Sequence, residues 1–383
     1  MKGSGKGGCA MAPLSLLIKP ASGLCNLRCR YCFYADEMCR RETPSYGVMS
    51  EETLSLVLEK TFAWAGGDVT LAFQGGEPTL AGLDFFRKAV EMTRQYNVRH
   101  LPVHYALQTN GMVLDEAWAD FLREHRFLVG ISLDGDREIH NRNRVGPGGE
   151  GSFDAVMEKI SLLKAHQVEF NILTVVTGLT AGSIGRIYRF FQKNDLPYQQ
   201  YIPCLDPMGE ERGRADYSLT PKKYGKFLTT LFDNWYRDVK AGRFVYNRYF
   251  ENLVGMLLLR PPESCGMAGH CSEQNVVEAD GSAYPCDFYV LDSYRLGNLR
   301  TDSFEEIRRR RKELGFIERS RQVHPDCADC RWRALCRGGC RRDREQPDGT
   351  LGRNYFCSAY QEFFAYAVPR LEELAALVQR GAL

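Results

Sequence analysis

The chain has 383 residues, 44% of them hydrophobic, enough for a large core and for more than one domain. Its 50 basic and 48 acidic residues leave a net charge of +2, which excludes a global attraction to nucleic acid or to an anionic membrane. No apolar run approaches the roughly 18 residues of a membrane span, and residues 1–8 have no apolar signal core.

Residues 1–13 read as a flexible extension, and regular structure is expected from Leu14 onward. Strand-like runs cover 14–19, 69–74, 104–109, 128–133, 170–176 and 198–204. Amphipathic helical stretches lie between them at 50–65, 85–96, 115–124, 152–166 and 184–193. In the first of these Leu54, Val57, Leu58 and Phe62 share a face, and Ser50 is placed to cap it. Six β-α repeats imply a parallel sheet with right-handed crossovers. Six strands are too few for a closed eight-stranded barrel, so residues 14–240 are expected to form an α/β partial (β/α)6 TIM-like barrel. Its chemistry should sit at the strands' C-terminal ends.

Fourteen cysteines without a secretion signal point to metal rather than to disulfides. Five precede residue 40, Cys204 stands alone in the middle, and eight lie from Cys265 to Cys357. That distribution separates the barrel from a linker at 241–264, a metal-rich module at 265–374 and a tail at 375–383.

Cys25, Cys29 and Cys32 follow the first strand with C-x3-C-x2-C spacing, and Phe33 comes next. Three thiolates can hold three irons of a four-iron cluster and leave the fourth open, as a catalytic metal requires. Gln74-Gly75-Gly76-Glu77-Pro78 follows the second strand, and its two glycines let a ligand approach the backbone. Ser132 ends the fourth strand and Arg144 follows; an arginine fork pairs with a carboxylate through two parallel bonds. The last eight cysteines suffice for two four-thiolate clusters or for two zinc ribbons. The run of four arginines and a lysine at 308–312 has no interleaved aromatics and reads as a solvated helix face.

The trio, the glycine pair and the strand-end residues together resemble the radical S-adenosylmethionine superfamily. The resemblance implies that S-adenosylmethionine chelates the open iron, and that an electron cleaves it to a 5′-deoxyadenosyl radical. It further implies that Gly75, Gly76 and Glu77 meet the amino group, Ser132 the ribose, Arg144 the carboxylate and Leu205 the adenine, with Tyr31 beside the cluster. The run Cys327-x2-Cys330-x5-Cys336-x3-Cys340 with a separate Cys357 is similar to the SPASM module of peptide-modifying enzymes. That similarity implies two auxiliary clusters, one on Cys265, Cys271, Cys286 and Cys340 and one on Cys327, Cys330, Cys336 and Cys357. Three 4Fe–4S clusters result, with Cys9, Cys39 and Cys204 as bystanders. Asp287 directly follows a cluster cysteine and is placed to accept a proton; in the family resembled, an aspartate here is the catalytic base.

From 14 to 374 the chain is similar to the anaerobic sulfatase-maturating enzymes. The runs that carry this include Ser15-Leu16-Leu17-Ile18-Lys19-Pro20, Ala72-Phe73-Gln74-Gly75-Gly76-Glu77-Pro78-Thr79-Leu80, Leu107-Gln108-Thr109-Asn110-Gly111 and Tyr284-Pro285-Cys286-Asp287-Phe288-Tyr289. The implied reaction is oxygen-independent oxidation of a sulfatase cysteine or serine to Cα-formylglycine by hydrogen abstraction at Cβ. The implied partners are a sulfatase polypeptide with a Cys/Ser-x-Pro-Ser-Arg-like motif and a one-electron donor of the flavodoxin or ferredoxin type. Neither nucleic acid nor membrane is expected, and the cytoplasm is the expected compartment. Gln74 is among the strand-end side chains expected along a peptide channel. The nearest rivals are SPASM-type maturases that form thioether or carbon–carbon crosslinks or epimerise residues. Many of these carry an N-terminal leader-recognition domain, for which the residues before Leu14 are too few. A rival of another class is a non-catalytic iron–sulfur or zinc-binding protein.

Overall fold

Alternating burial along β1 (Leu14–Ile18), where Leu16 and Ile18 are fully enclosed, starts the sheet. It continues through β2 (Val69–Phe73), β3 (Val103–Thr109), β4 (Leu128–Ser132), β5 (Phe170–Val176) and β6 (Tyr198–Pro203). The computed structural model describes residues 13–382, so Cys9 and nearly all of the N-terminal extension lie outside the described residues. The six strands pair in chain order and in parallel, with Ile18 opposite Phe73 and Val69 opposite Val103. Four of them end one residue earlier than the apolar runs suggest, because Lys19, Gln74, Leu133 and Cys204 leave the ladder where the loops begin. Crossover helices occupy Glu51–Trp64, Leu83–Tyr96, Glu116–Glu124, Phe153–Ala165 and Ile184–Lys193. Ser50 and Asp115 each accept a first-turn N–H, at 3.1 and 2.9 Å, and so fix two of the starts.

The sheet is larger than six strands. A two-residue β7 (Tyr246–Asn247) continues it in parallel beyond β6. On the other side, β8 (Asn275–Val277) joins β1 in parallel, and β9 (Ser282–Tyr284) and β10 (Gly297–Asn298) follow antiparallel. The order is β10-β9-β8-β1-β2-β3-β4-β5-β6-β7. The cysteine-rich module therefore extends the barrel sheet instead of hanging from it.

The expected linker, 241–264, is ordered structure: it carries β7 and the helix Arg248–Leu257. Phe250 on that helix meets Phe232, Trp235 and Phe363 at ring separations of 5.3, 5.2 and 5.8 Å, which ties it to helices Pro221–Lys240 and Cys357–Gln379. Burial of this aromatic cluster orders a stretch that reads as a connection in the sequence. Residue 374 likewise falls inside helix Cys357–Gln379, so the helix runs on into the expected tail. Within the basic run, Arg309 and Arg310 pair with Glu313 and Asp302 at 2.7 and 2.6 Å. Arg311 is not solvated: it is buried and donates to the Gln274 carbonyl and to Asn275 Oδ1 at 2.5 and 2.7 Å.

Candidate active site

The trio lies in the loop that leaves β1. Leu27 N–H donates to Cys25 Sγ at 3.4 Å, and Asn110, after β3, bridges to Asn26 Oδ1 at 2.8 Å. All three cysteines are half-buried free thiols, close enough that Cys29 feels both Cys25 and Cys32 electrostatically and Cys25 feels Cys32. Burial pushes the Cys29 thiol up to about 12, and it raises Cys25 as well. Such thiols become thiolates only when a cation compensates them, which suits a cluster-binding loop. Among the described residues no three His, Cys, Asp or Glu side chains converge on a point that one ion could fill.

Two glycines let the loop after β2 pack on this one. Gly75 has φ +144°, and a Cβ on Gly76 would stand 2.1 Å from the Leu24 carbonyl oxygen. Gly76 and Glu77 donate their N–H groups to the Ser22 and Leu24 carbonyls at 2.8 and 2.7 Å. The Glu77 carboxylate is fully buried and accepts from Thr79 Oγ1, Thr109 Oγ1 and Asn110 N–H at 2.7, 2.6 and 2.7 Å. Its side chain therefore staples β2 to β3.

At the ends of β4 and β5 the sequence-derived residues gather around one they did not include, Asp134. Arg144 donates to Asp134 through Nε at 3.0 Å and Nη2 at 3.4 Å, Tyr31 donates its hydroxyl, and Val175 N–H adds a bond of 3.0 Å. The Arg144 guanidinium lies 5.4 Å over the Tyr31 ring. His140 closes the back of this group, accepting from Asp134 N–H at 3.3 Å; burial lowers it to about 4, so it is neutral. Ser132 is buried and within 3.2 Å of the Gln108 amide.

Asp287 begins a short turn after β9 and projects over the ends of β1 and β2. Lys19 Nζ lies 2.5 Å from its Oδ1, and Gln74 Nε2 lies 2.7 Å from its Oδ2. Because Ile18 and Phe73 are register partners, their successors Lys19 and Gln74 emerge side by side. Lys19 is fully buried, with its ammonium 3.9 Å above the Tyr34 ring, whereas the Asp287 side chain keeps 15% exposure. Next to this pair is a small cavity of about 20 Å³ lined by Cys32, Phe33, Glu37, Leu205, Tyr217 and Phe288, among others. Phe33 and Phe288 meet edge to face at 4.9 Å and so link the trio's segment to the Asp287 turn. Lys19, Asp134 and Glu37 are the polar residues here that sequence reasoning missed. Glu37 is buried with an acid held well above the usual range by desolvation.

The other eight thiols divide into two groups. Among the thiols, Cys340 interacts electrostatically with Cys265 and Cys271, and Cys286 with Cys340 and Cys271. Cys336 is coupled instead to Cys357, Cys327 and Cys330, and burial pushes it up to about 11. Between Cys336 and Cys340 the chain turns through three left-handed residues, Arg337, Gly338 and Gly339, with φ of 50°, 88° and 73°. That turn sends two cysteines four positions apart into different groups. Cys39 is exposed, and Cys204 is buried with its Sγ on the Tyr217 carbonyl.

Residues 20–191 match the radical SAM superfamily, and residues 265–331 match an iron–sulfur cluster-binding SPASM domain. These matches define a radical S-adenosylmethionine enzyme with auxiliary clusters. The chain is 50% identical to the cysteine-type anaerobic sulfatase-maturating enzyme of Clostridium perfringens over 366 residues, covering 95% of this chain and 99% of that protein. It is 32% identical to the serine-type enzyme of Bacteroides thetaiotaomicron, covering 94% and 91%. A solved structure described as native anSMEcpe with bound AdoMet and Cp18Cys peptide superposes with a TM-score of 0.92 at 49% identity, covering 96% and 100%. The chain belongs to the anaerobic sulfatase-maturating enzymes. Its cofactors are accordingly S-adenosylmethionine and three 4Fe–4S clusters, and the thiol-only donor groups fit them. Among the described residues no helix is long and apolar enough to cross a membrane.

Proposed function

We propose that this chain oxidises a sulfatase cysteine, in a Cys-x-Pro-Ser-Arg-like motif, to Cα-formylglycine. The reading of cysteine over serine rests on the higher identity to the cysteine-type relatives. Cys25, Cys29 and Cys32 would hold the catalytic cluster. Cys265, Cys271, Cys286 and Cys340 would hold one auxiliary cluster, and Cys327, Cys330, Cys336 and Cys357 the other. The backbone at Gly75, Gly76 and Glu77, with Ser132, Arg144, Tyr31 and Leu205, would surround S-adenosylmethionine. Arg144 has Nη1 left over for a ligand carboxylate once Nε and Nη2 are on Asp134.

When bound, these groups supply the one-electron chemistry: a deoxyadenosyl radical that takes a Cβ hydrogen, and an acceptor for the second electron. The chain's own part is positioning and proton transfer. Asp287 takes the thiol proton of the substrate on a carboxylate oxygen as the C–S double bond forms. Lys19 and Gln74 hold that carboxylate over the strand ends. Phe33, Leu205 and Phe288 wall the cavity and limit water around the substrate radical. Water then adds to the thioaldehyde and sulfide leaves, which balances the loss of sulfur and gain of oxygen. The observation that carries the reading is the Lys19–Asp287–Gln74 constellation beside a cavity that Cys32 also lines. The electron donor would be of the flavodoxin or ferredoxin type, and a reducing cytoplasm suits eleven cluster thiols.

The test is anaerobic reconstitution with reductant, S-adenosylmethionine and a Cys-x-Pro-Ser-Arg peptide, followed by mass spectrometry and a sulfide assay. An aldehyde with released sulfide and 5′-deoxyadenosine is the expected result. A product that keeps its sulfur in a thioether would replace this function with crosslinking.

A further inference from the structure

A groove of about 530 Å³ opens on the barrel, lined by Arg30, Arg142, Thr177, Asp216, Tyr217 and Lys223, among others. Only Tyr217 is shared with the cavity beside Asp287, and no cluster cysteine or S-adenosylmethionine residue named above lines it. Arg30, Arg142 and Lys223 converge from three separate segments, and all three are exposed. Among the described residues none of the three has a carboxylate within ion-pair distance, while Asp216 is the lone acid on the lining. Lys223 Nζ is directed over Gly178, in the groove wall. Uncompensated like charges around a concave surface raise its potential and favour an acidic partner.

The groove also adjoins the trio. Arg30 stands between Cys29 and Cys32, and its N–H donates to the Asn143 carbonyl at 3.0 Å. Arg28 N–H donates to the Val145 carbonyl at 2.7 Å, so the cluster loop is stitched to the segment that carries Arg142. A protein seated in the groove would rest against the back of the loop that holds the open-site cluster.

We propose that this groove docks the electron donor, an acidic one-electron carrier protein; the proposal rests on the radical-enzyme reading above. The carrier loses one electron and the cluster on Cys25, Cys29 and Cys32 gains one, with no bond made or broken. Arg30, Arg142 and Lys223 steer and orient it.

The probe is a flavodoxin, titrated anaerobically into reconstituted enzyme at low and high salt by calorimetry. Three proteins are compared: wild type, the double variant Arg142→Glu with Lys223→Glu, and Arg331→Glu, an exposed arginine beside Cys330. The double variant is expected to bind ~10-fold or more weakly with a flattened salt dependence, and Arg331→Glu to bind as wild type. Deoxyadenosine formation driven by reduced flavodoxin should fall with the affinity, while formation driven by dithionite stays unchanged. Equal binding by wild type and double variant overturns the proposal, as does a loss confined to Arg331→Glu. So does a double variant that loses affinity for the sulfatase polypeptide but not for flavodoxin. A wild type that makes no deoxyadenosine with dithionite would sink the radical-enzyme reading itself, a result distinct from failure of the dock.

Discussion

Removing one end of the Lys19–Asp287 pair separates its structural and chemical roles. Asp287→Asn leaves a fully buried ammonium facing a neutral amide, with the Tyr34 ring 3.9 Å below it and the buried Glu37 carboxyl, held well above the usual range by desolvation, as its remaining acidic neighbour. Breaking a buried pair from one side costs ~3–5 kcal/mol in general. The 15% exposure of Asp287 admits some water, which places the expected loss near ~3 kcal/mol. Adding Lys19→Met removes the stranded charge and keeps the volume of the stem. The double variant should regain at least ~1 kcal/mol over Asp287→Asn alone.

Activity should follow the opposite rule. Losing a positioned proton acceptor costs ~100-fold or more in product formation, and the methionine cannot restore it. Deoxyadenosine formation should persist in both variants. The assays are anaerobic thermal unfolding of the reconstituted proteins, together with parallel quantitation of aldehyde and deoxyadenosine. A double variant no more stable than Asp287→Asn would refute the buried-charge argument. Wild-type aldehyde formation by Asp287→Asn would refute the base.

Gly76→Ala forces a Cβ to within 2.1 Å of the Leu24 carbonyl oxygen, where backbone must move. The expected cost is about 3 kcal/mol, with iron content falling from about twelve toward about eight per chain as the trio's loop is displaced; wild-type iron and stability would contradict this. His140 is neutral and buried, lowered from 6.5 to about 4. The unfolded chain binds its proton first, so stability is unaffected above pH ~6.5 and falls by up to about 3 kcal/mol as pH drops toward 4. His140→Gln should flatten that limb of a pH–stability curve; an unchanged limb would mean that other groups set the acid sensitivity.

What the sequence discloses depends on how local the feature is. The six central strands show themselves because each is five to seven residues long and flanked by helical periods. Strands β7 to β10 are two or three residues long and have no measurable period; their partners define them. The trio is legible because its three thiols fall within eight residues of one another. Lys19 is not, since nothing marks it out until it meets Asp287, 268 positions away. Asp134 falls just past the fourth apolar run, and its four partners come from three separate segments of the chain, around Tyr31, His140–Arg144 and Val175.

The addition of β8 to β1 explains how such distant residues come to act together. Val277 pairs with Ile18, and the Lys19 N–H donates to the Val277 carbonyl at 2.8 Å, so the module's first strand is locked to the strand from which the trio's loop departs. The turn after β9 must then fall over the ends of β1 and β2, where Lys19 and Gln74 point up to meet Asp287. A module attached by a flexible linker would leave that distance free to vary by several ångströms, whereas hydrogen abstraction and proton transfer at one side chain tolerate about 1 Å. Sheet continuation removes that freedom. The same ladder that builds the barrel therefore sets the gap between Asp287, the proposed proton acceptor, and the loop of Cys25, Cys29 and Cys32 proposed to hold the radical-generating cluster.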